Sequence, residues 1–566
     1  MTGAFPSEYG NAISGAFDLK MRAGNNETRE YIGQVGFNGF ELGAEGPFSK
    51  DSKASYIANY RYSTLGVFDA MGISFGVSAV PQYQDLSFKI DVPTGLKYGR
   101  FSLFGIGGMS YIELLDSEKN PDEWTFTDTG TDAYFDSDMG VIGLSHLMFL
   151  TEKSNLKTSI AASGTRNNVR QMDVIDPSNR FDVYGNKSVS VKYTATSQYN
   201  HKFNARNFLR AGVIMDYYNV QYADSFLYDN NWYNNYDMNE WFSLAQSYVN
   251  YQYKLNENIT ANVGVHHQTF TYNYSTAVEP RVGLRWRVSD RQTISLGYGK
   301  HSQLQPMQVY MVETLVDTLN QTYYASNENL DFIKSDHYVL SYDFVFTPNL
   351  RLKTEAYYQN VYDVPVQSYS SSFSMANIGA DFGIPLLDSL VNEGTGKNYG
   401  VEFTLEKFFS KNYYFLVTAA FYESKYIGSD GIERNTAFNG NYSFNALAGY
   451  EFKIGKRSMI SLSAKMARIG GRRYIPIDLE ASNLVGRAVY DMNEIHTMKH
   501  PDYFRLDGKL SFTYQGGKIT QVFAADVQNV LNTQNIFQQS YDADNQVIRT
   551  EYQLGLFPVF LYKIMF

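Results

Sequence analysis

The chain has 566 residues, no cysteine, 47 Tyr, 39 Phe and a formal net charge of −10. Without cysteine there are no disulfides, thiolate metal sites or Cys nucleophile, and an acidic chain with no basic stripe is not built for nucleic acid. Mean hydropathy is −0.34, and no apolar run reaches the ~18 residues of a membrane-spanning helix. A membrane barrel escapes that test, because only alternate residues of its strands meet lipid.

In chain order, the patterning predicts strands over 31–37, 40–48, 54–65, 80–92, 99–113, 138–150, 156–170, 188–203, 208–222, 241–255, 259–273 and 278–288. It continues with 292–301, 336–346, 350–364, 398–409, 413–426, 441–453, 459–469, 502–514, 519–531 and 551–566. Several runs keep a strict period of two. Over 503–515, Phe504, Leu506, Gly508, Leu510, Phe512 and Tyr514 share one face. Arg505, Asp507, Lys509, Ser511 and Thr513 share the other, as expected of a strand with two different environments.

The connections alternate short and long along the chain. Short ones fall at 49–53, 93–98, 151–155, 204–207, 256–258, 289–291, 347–349, 410–412, 455–458 and 515–518. Longer polar stretches lie between them, including 114–135, 302–334, 366–397 and 471–500. A soluble sandwich has no reason to sort turns by length, whereas an outer-membrane barrel pairs short periplasmic turns with long extracellular loops. The fold class expected is therefore all-β: one transmembrane antiparallel β-barrel of about 22 strands, the size of plugged outer-membrane transporters. An even strand number puts both termini in the periplasm. Phe560, Tyr562, Ile564 and Phe566 alternate to the end of the chain, which resembles a C-terminal assembly signal of such barrels.

Catalytic chemistry finds little support. Gly72-Ile73-Ser74-Phe75-Gly76 matches the G-x-S-x-G pattern but lacks the strand–turn–helix context of a nucleophile elbow. His266 and His267 are adjacent, so a strand points them to opposite faces; His496 and His500 share a long loop. No catalytic residues, metal ligands or cofactor are expected. The loops carry the candidate binding chemistry. Stretch 113–136 is strongly acidic, and 223–240 combines Asp224, Asp229, Asp237 and Glu240 with Tyr228, Trp232, Tyr233, Tyr236 and several Asn. The candidate ligand-binding residues are Tyr228, Trp232, Tyr233, Tyr236, Asp229 and Asp237, since aromatic faces, amides and carboxylates hold cationic, metal-bearing or sugar-like solutes.

The stretch Gly3-Ala4-Phe5-Pro6-Ser7-Glu8-Tyr9-Gly10-Asn11-Ala12-Ile13-Ser14-Gly15-Ala16-Phe17-Asp18-Leu19-Lys20 resembles the end of the plug of a TonB-dependent receptor. Gly470-Gly471-Arg472-Arg473-Tyr474-Ile475-Pro476-Ile477-Asp478, Pro501-Asp502-Tyr503-Phe504-Arg505-Leu506-Asp507 and Asp526-Val527-Gln528-Asn529-Val530-Leu531-Asn532 resemble barrel motifs of such receptors from Bacteroidota. The resemblance implies a plug remnant over 1–28 and a barrel over 29–566. It further implies uptake of a scarce solute (siderophore, metal complex, oligosaccharide or peptide) driven by a TonB-type energy transducer. The implied surroundings are outer-membrane lipid and lipopolysaccharide, with a possible surface lipoprotein as partner. The alternatives are a structural or assembly barrel in an outer-membrane complex, or a passive pore. The signal peptide, TonB box and most of the plug that the family carries ahead of this stretch are not read in the chain. The plug remnant is expected to be poorly ordered in the lumen or to lie along the wall.

Overall fold

The computed structural model describes all residues except 1–4, 38, 64–80, 96, 119–129, 177, 318, 321, 379–382 and 544. The Gly72–Gly76 motif and part of the acidic 113–136 stretch lie outside the described residues. Twenty-two antiparallel strands close into one barrel, from Glu30–Gly36 to Phe557–Met565. Closure is direct. Ile32 pairs with Met565 and Gly36 with Leu561, and Tyr31 and Phe566 exchange backbone hydrogen bonds of 2.8 and 3.1 Å.

The period of two separates lipid face from lumen. Leu510 pairs with Leu462 on the outer face, where they are 52% and 53% exposed. On the inner face Arg505 and Asp507 form an ion pair at 2.6 Å, so the charges that lipid cannot solvate meet each other. On the outer wall, Tyr298, Tyr338, Tyr358 and Tyr399 from adjacent strands form a ladder with ring centroids 5.2, 6.4 and 6.4 Å apart. Such aromatic rows occupy the membrane–water boundary.

All ten short turns lie at one end of the barrel, as the sequence predicts. The opposite end is less regular than expected. Stretch 223–240 is not a loop: Asn207–Tyr228 and Asn231–Lys254 are continuous strands of 22 and 24 residues, joined at Asp229-Asn230. Both turn residues have positive φ, 48° and 57°. Asp and Asn tolerate that left-handed conformation, which matches the twist of a tight hairpin, so a polar stretch without Gly or Pro still turns in two residues. The acidic stretch is likewise shortened, because the strand Thr131–Thr151 begins inside it. Near the C-terminus the strand Ile519–Gln528 stops short of Leu531. Val547–Tyr552 leaves the wall to pair with Ile536–Asp542 in a separate small hairpin.

Five consecutive long strands run from Thr131 to Lys254, with 20 to 24 residues each. The strand Ile519–Gln528 has only 10. At ~3.4 Å per residue the long strands exceed the ~25 Å apolar band. One flank of the wall therefore rises past the membrane as a β-palisade. Against its inner face packs an apolar core. Leu304, Met307, Val309, Tyr310, Leu330 and Phe332 of the 304–332 loop pack against Val220, Phe242, Leu244 and Phe270 of the wall. The two ends of the loop are thus folded into the barrel.

The N-terminal segment lies along the lumen wall. Arg281 donates to the carbonyls of Phe5, Pro6 and Tyr9, Ser7 O sits 2.7 Å from His266 Nδ1, and Phe5 stacks on His301 at 3.9 Å. Further along, Leu304 N donates to Asn11 Oδ1 at 2.8 Å and Lys89 Nζ to Met21 O at 2.9 Å. Along these stretches the backbone groups of the extended chain are met by side chains of the wall.

Candidate functional site

Above the apolar core, the inner face of the palisade carries a polar and aromatic wall. The bulge between Asn234 and Tyr236 shifts the strand register there. Its extra residue, Asn235, turns its amide to Asp224 at 3.2 Å. Asp224 is 7% exposed and also accepts from Tyr184 Oη and, at 3.1 Å, from Asn186 Nδ2. All three partners are neutral. Among the described residues no Lys or Arg forms an ion pair with this carboxylate. A carboxylate held by neutral donors has no cationic side chain competing with a solute for it. Tyr222 and Tyr236 flank it, 6.1 Å apart. A notch of about 270 Å³ opens through the wall at the bulge, lined by Asn186, Asp224 and Tyr236 and, from the outward-facing side, by Lys187, Ala223, Asn234 and Asp237.

Two loops frame this wall. Tyr236 Oη donates to Leu386 O at 3.1 Å, which docks the 368–389 loop on the palisade. Buried Asn327 staples the 304–332 and 368–389 loops together, donating to Val309 O at 3.0 Å and Leu387 O at 2.7 Å. An amide with both donors used across two chain segments fixes their spacing.

The structure divides the residues singled out from the sequence. Tyr236 pairs with Asp224, Tyr233 with Phe226 and Tyr228 with Asn231, so these tyrosines share the inward face. Tyr233 stacks on Phe226 at 5.8 Å and meets Tyr228 edge-on at 6.4 Å. Trp232 pairs with Leu227 and Asp237 with Ala223, which turns both outward. Asp229 occupies the hairpin tip. Sequence reasoning missed Tyr184 and Asn186, which come from a neighbouring strand, and the role of Asp224 as the centre of the cluster. Asp224 alternates with Tyr222 and Phe226, a period-two signal hidden by reading the stretch as a loop.

A second cluster lies lower, where the N-terminal segment docks. Glu279 and Arg281 are buried and paired, and Gln268 Nε2 donates to Glu279 at 2.9 Å. His266, His301 and His337 are fully buried beside them. The sequence signal was the pair Glu279 and Arg281, two apart and therefore on one face of a strand. His266 and His267 do face opposite ways: His266 is in the lumen and His267 on the outer wall.

A third cluster braces the loops. Arg473 donates to Asn439 O, His496 O and Thr497 O, Lys499 to Gly440 O, and Arg472 to Phe537 O. Backbone apposition requires glycine here: a Cβ on Gly471 would collide with His500 O, and one on Gly470 with Gly440 O. His500 stacks on Tyr474 at 4.1 Å. Burial, with Arg473 beside His496 and Arg472 beside His500, holds both imidazoles below their usual pKa. Among the described residues no group of three or more His, Asp or Glu is placed to hold a metal ion.

A closed 22-stranded barrel with an apolar outer face, a charged lumen and infolded loops is an outer-membrane barrel of the receptor and transporter class. The chain belongs to the TonB dependent receptor-like β-barrel family, whose model matches residues 116–530. That family and fold are those of receptors and transporters rather than enzymes. No curated protein matches it in sequence. Among solved structures it is similar to FpvA, the pyoverdine outer membrane receptor of Pseudomonas aeruginosa, at 12% identity and TM-score 0.69, covering 100% of this chain and 82% of that one. It is also similar to the ferric-catecholate import receptor Fiu of E. coli, at 10% identity and TM-score 0.68, covering 100% and 85%. The ferric preacinetobactin receptor BauA of Acinetobacter baumannii matches at 11% identity and TM-score 0.63, covering 96% and 80%. At these identities the likeness is one of fold.

Proposed function

We propose that the protein captures a scarce polar solute at its long-loop mouth and takes it up with energy from a TonB-type transducer. The carrying observation is the neutral-donor cage around Asp224, set among Tyr184, Tyr222, Tyr236, Tyr233 and Tyr228 and framed by two infolded loops. A carboxylate, amides and phenols recognise hydroxyl-rich or cationic groups, as in a metal-bearing siderophore or an oligosaccharide. Solved relatives of this fold described as receptors for ferric siderophores support the first of these. The same reading puts the long loops outside the cell and both termini in the periplasm, and takes residues 1–28 as the end of a plug. It expects lipopolysaccharide around the wall, a surface lipoprotein as possible neighbour, and a Bacteroidota source.

Uptake of iron-55-loaded catecholate siderophores and of labelled oligosaccharides by cells producing the protein tests the reading. Losing a charge-assisted contact costs about 1.5–3 kcal/mol, so Asp224→Asn is expected to weaken capture roughly tenfold or more. Uptake unchanged in Asp224→Asn and Tyr236→Phe would remove this wall from the solute path. Stable association with other envelope proteins without uptake of any probe would favour a scaffold.

A further inference from the structure

Among the described residues the outer wall is mostly apolar, and one flank carries a polar patch. Thr158, Ser197, Ser247, His267 and Thr269 face outward from four strands, two on either side of Asn207–Tyr228, and Thr158 pairs with Ser197 and Ser247 with His267 in the ladder. Small side chains surround them. Ala195, Ala245, Val213 and Met215 help line an indentation of about 480 Å³, and Ala211 and Val265 line its continuation of about 420 Å³. Ser247 lies midway between Trp241 and Tyr253 on the same outward face, so the patch sits at hydrocarbon depth. The side chains of Ser247 and His267 are exposed and have no hydrogen-bond partner among the described residues, whereas Thr158 Oγ1 and Ser197 Oγ lie 3.5 Å apart and bond each other.

Lipid tails offer such groups nothing. Polar side chains at membrane depth are costly and face a partner. Small residues that permit close approach, together with polar groups that bond across, are the two features of packed surfaces inside a bilayer. The partner must itself present hydrogen-bonding groups at that depth. Two copies of one chain insert in the same orientation, so a two-fold axis along the membrane normal brings each residue opposite others at its own depth. Hydroxyl and imidazole groups both donate and accept, so this row is complementary to itself. Five strands ~4.8 Å apart over a ~25 Å band give ~600 Å² per copy, near the ~800 Å² of a standard interface. We propose that this lipid-facing patch, centred on Ser247 and His267, is the contact surface of a symmetric dimer of the protein in the outer membrane.

The absence of native cysteine makes the test clean. Ser247→Cys and, as a control on the far wall, Leu462→Cys are treated in native outer membranes with a short bis-maleimide. Held in a complex, the Ser247→Cys thiols have a raised effective concentration, and the dimer band is expected at roughly ten times the control yield. Adding Ala245→Trp fills the indentation and should return the yield to control level. Resistance of the unheated band to denaturation shows in each case that the barrel is folded. Equal yields at the two positions, a monomeric Ser247→Cys protein, or crosslinking to a different protein would each overturn the dimer.

Discussion

At the scale of single residues, the face on which a side chain lies decides what a substitution does. Leu510 and Ser511 are neighbours in sequence, yet Leu510 pairs with Leu462 on the lipid face and Ser511 with Ser461 on the lumen face. An arginine at mid-membrane on the lipid face costs ~2–4 kcal/mol. In the lumen its guanidinium reaches water. Leu510→Arg is therefore expected to lower the folded fraction in urea titration with liposomes, and Ser511→Arg to leave it near wild type. Equal losses would place the register one residue out, since a single slip exchanges the faces. The alternation that fixes this pair was legible in the sequence because each face has its own solvent. Asp224 was not legible as the centre of a cage. Its donors Tyr184 and Asn186 come from a strand 40 and 38 residues away, and the third, Asn235, depends on a bulge that no local pattern announces.

At the scale of elements, turn length sorted correctly at one end of the barrel and less well at the other. The short turns are set by local closure, which sequence displays. The long connections depend on what they fold against. Residues 304–332 read as a polar loop, but Met307, Val309, Tyr310 and Phe332 become core because the palisade supplies an apolar face. The 470–502 loop shows a different dependence. Its histidines are held neutral by burial and by the neighbouring arginines, so their pKa in the folded loop lies below the ordinary value near 6.5. A base with a depressed folded pKa binds fewer protons folded than unfolded, so its contribution is present above pH ~6.5 and declines as pH falls below it. Hydrogen exchange of residues 470–502 is expected to quicken between pH 7.5 and 5 while the strands Tyr442–Ile454 and Tyr503–Gly516 stay protected. His500→Phe, which keeps the stack on Tyr474 but cannot titrate, should weaken the response by removing one of its two histidines. A loop whose exchange ignores pH would show that its folding does not depend on neutral histidines.

At the scale of the whole molecule, a barrel is stable only when its first and last strands meet, since closure alone removes the two open edges. Here the seam is short. The strand Glu30–Gly36 has 7 residues and Phe557–Met565 has 9. Their ladder runs from Ile32–Met565 to Gly36–Leu561, and beyond it Phe37 N donates to Phe560 O at 3.1 Å. Phe566 extends this seam by one step, through its two backbone bonds to Tyr31 and the contact of their rings at 5.5 Å. It is also the last residue of the alternating set Phe560, Tyr562, Ile564 and Phe566 proposed as the assembly signal. The two roles separate by experiment. Phe566→Tyr keeps the backbone bonds and an aromatic ring, whereas Phe566→Asp keeps the backbone but puts a charge at the chain end. If the aromatic end directs insertion, Phe566→Asp should accumulate in the periplasm and be degraded. The fraction reaching the membrane should still run as a folded band in unheated gels. If only the seam matters, Phe566→Asp should reach the membrane normally and melt earlier on heating, and removal of Phe566 should be the more damaging change. Normal insertion and normal melting in all three variants would mean that strand closure upstream of Met565 suffices, and that assembly is read from another segment.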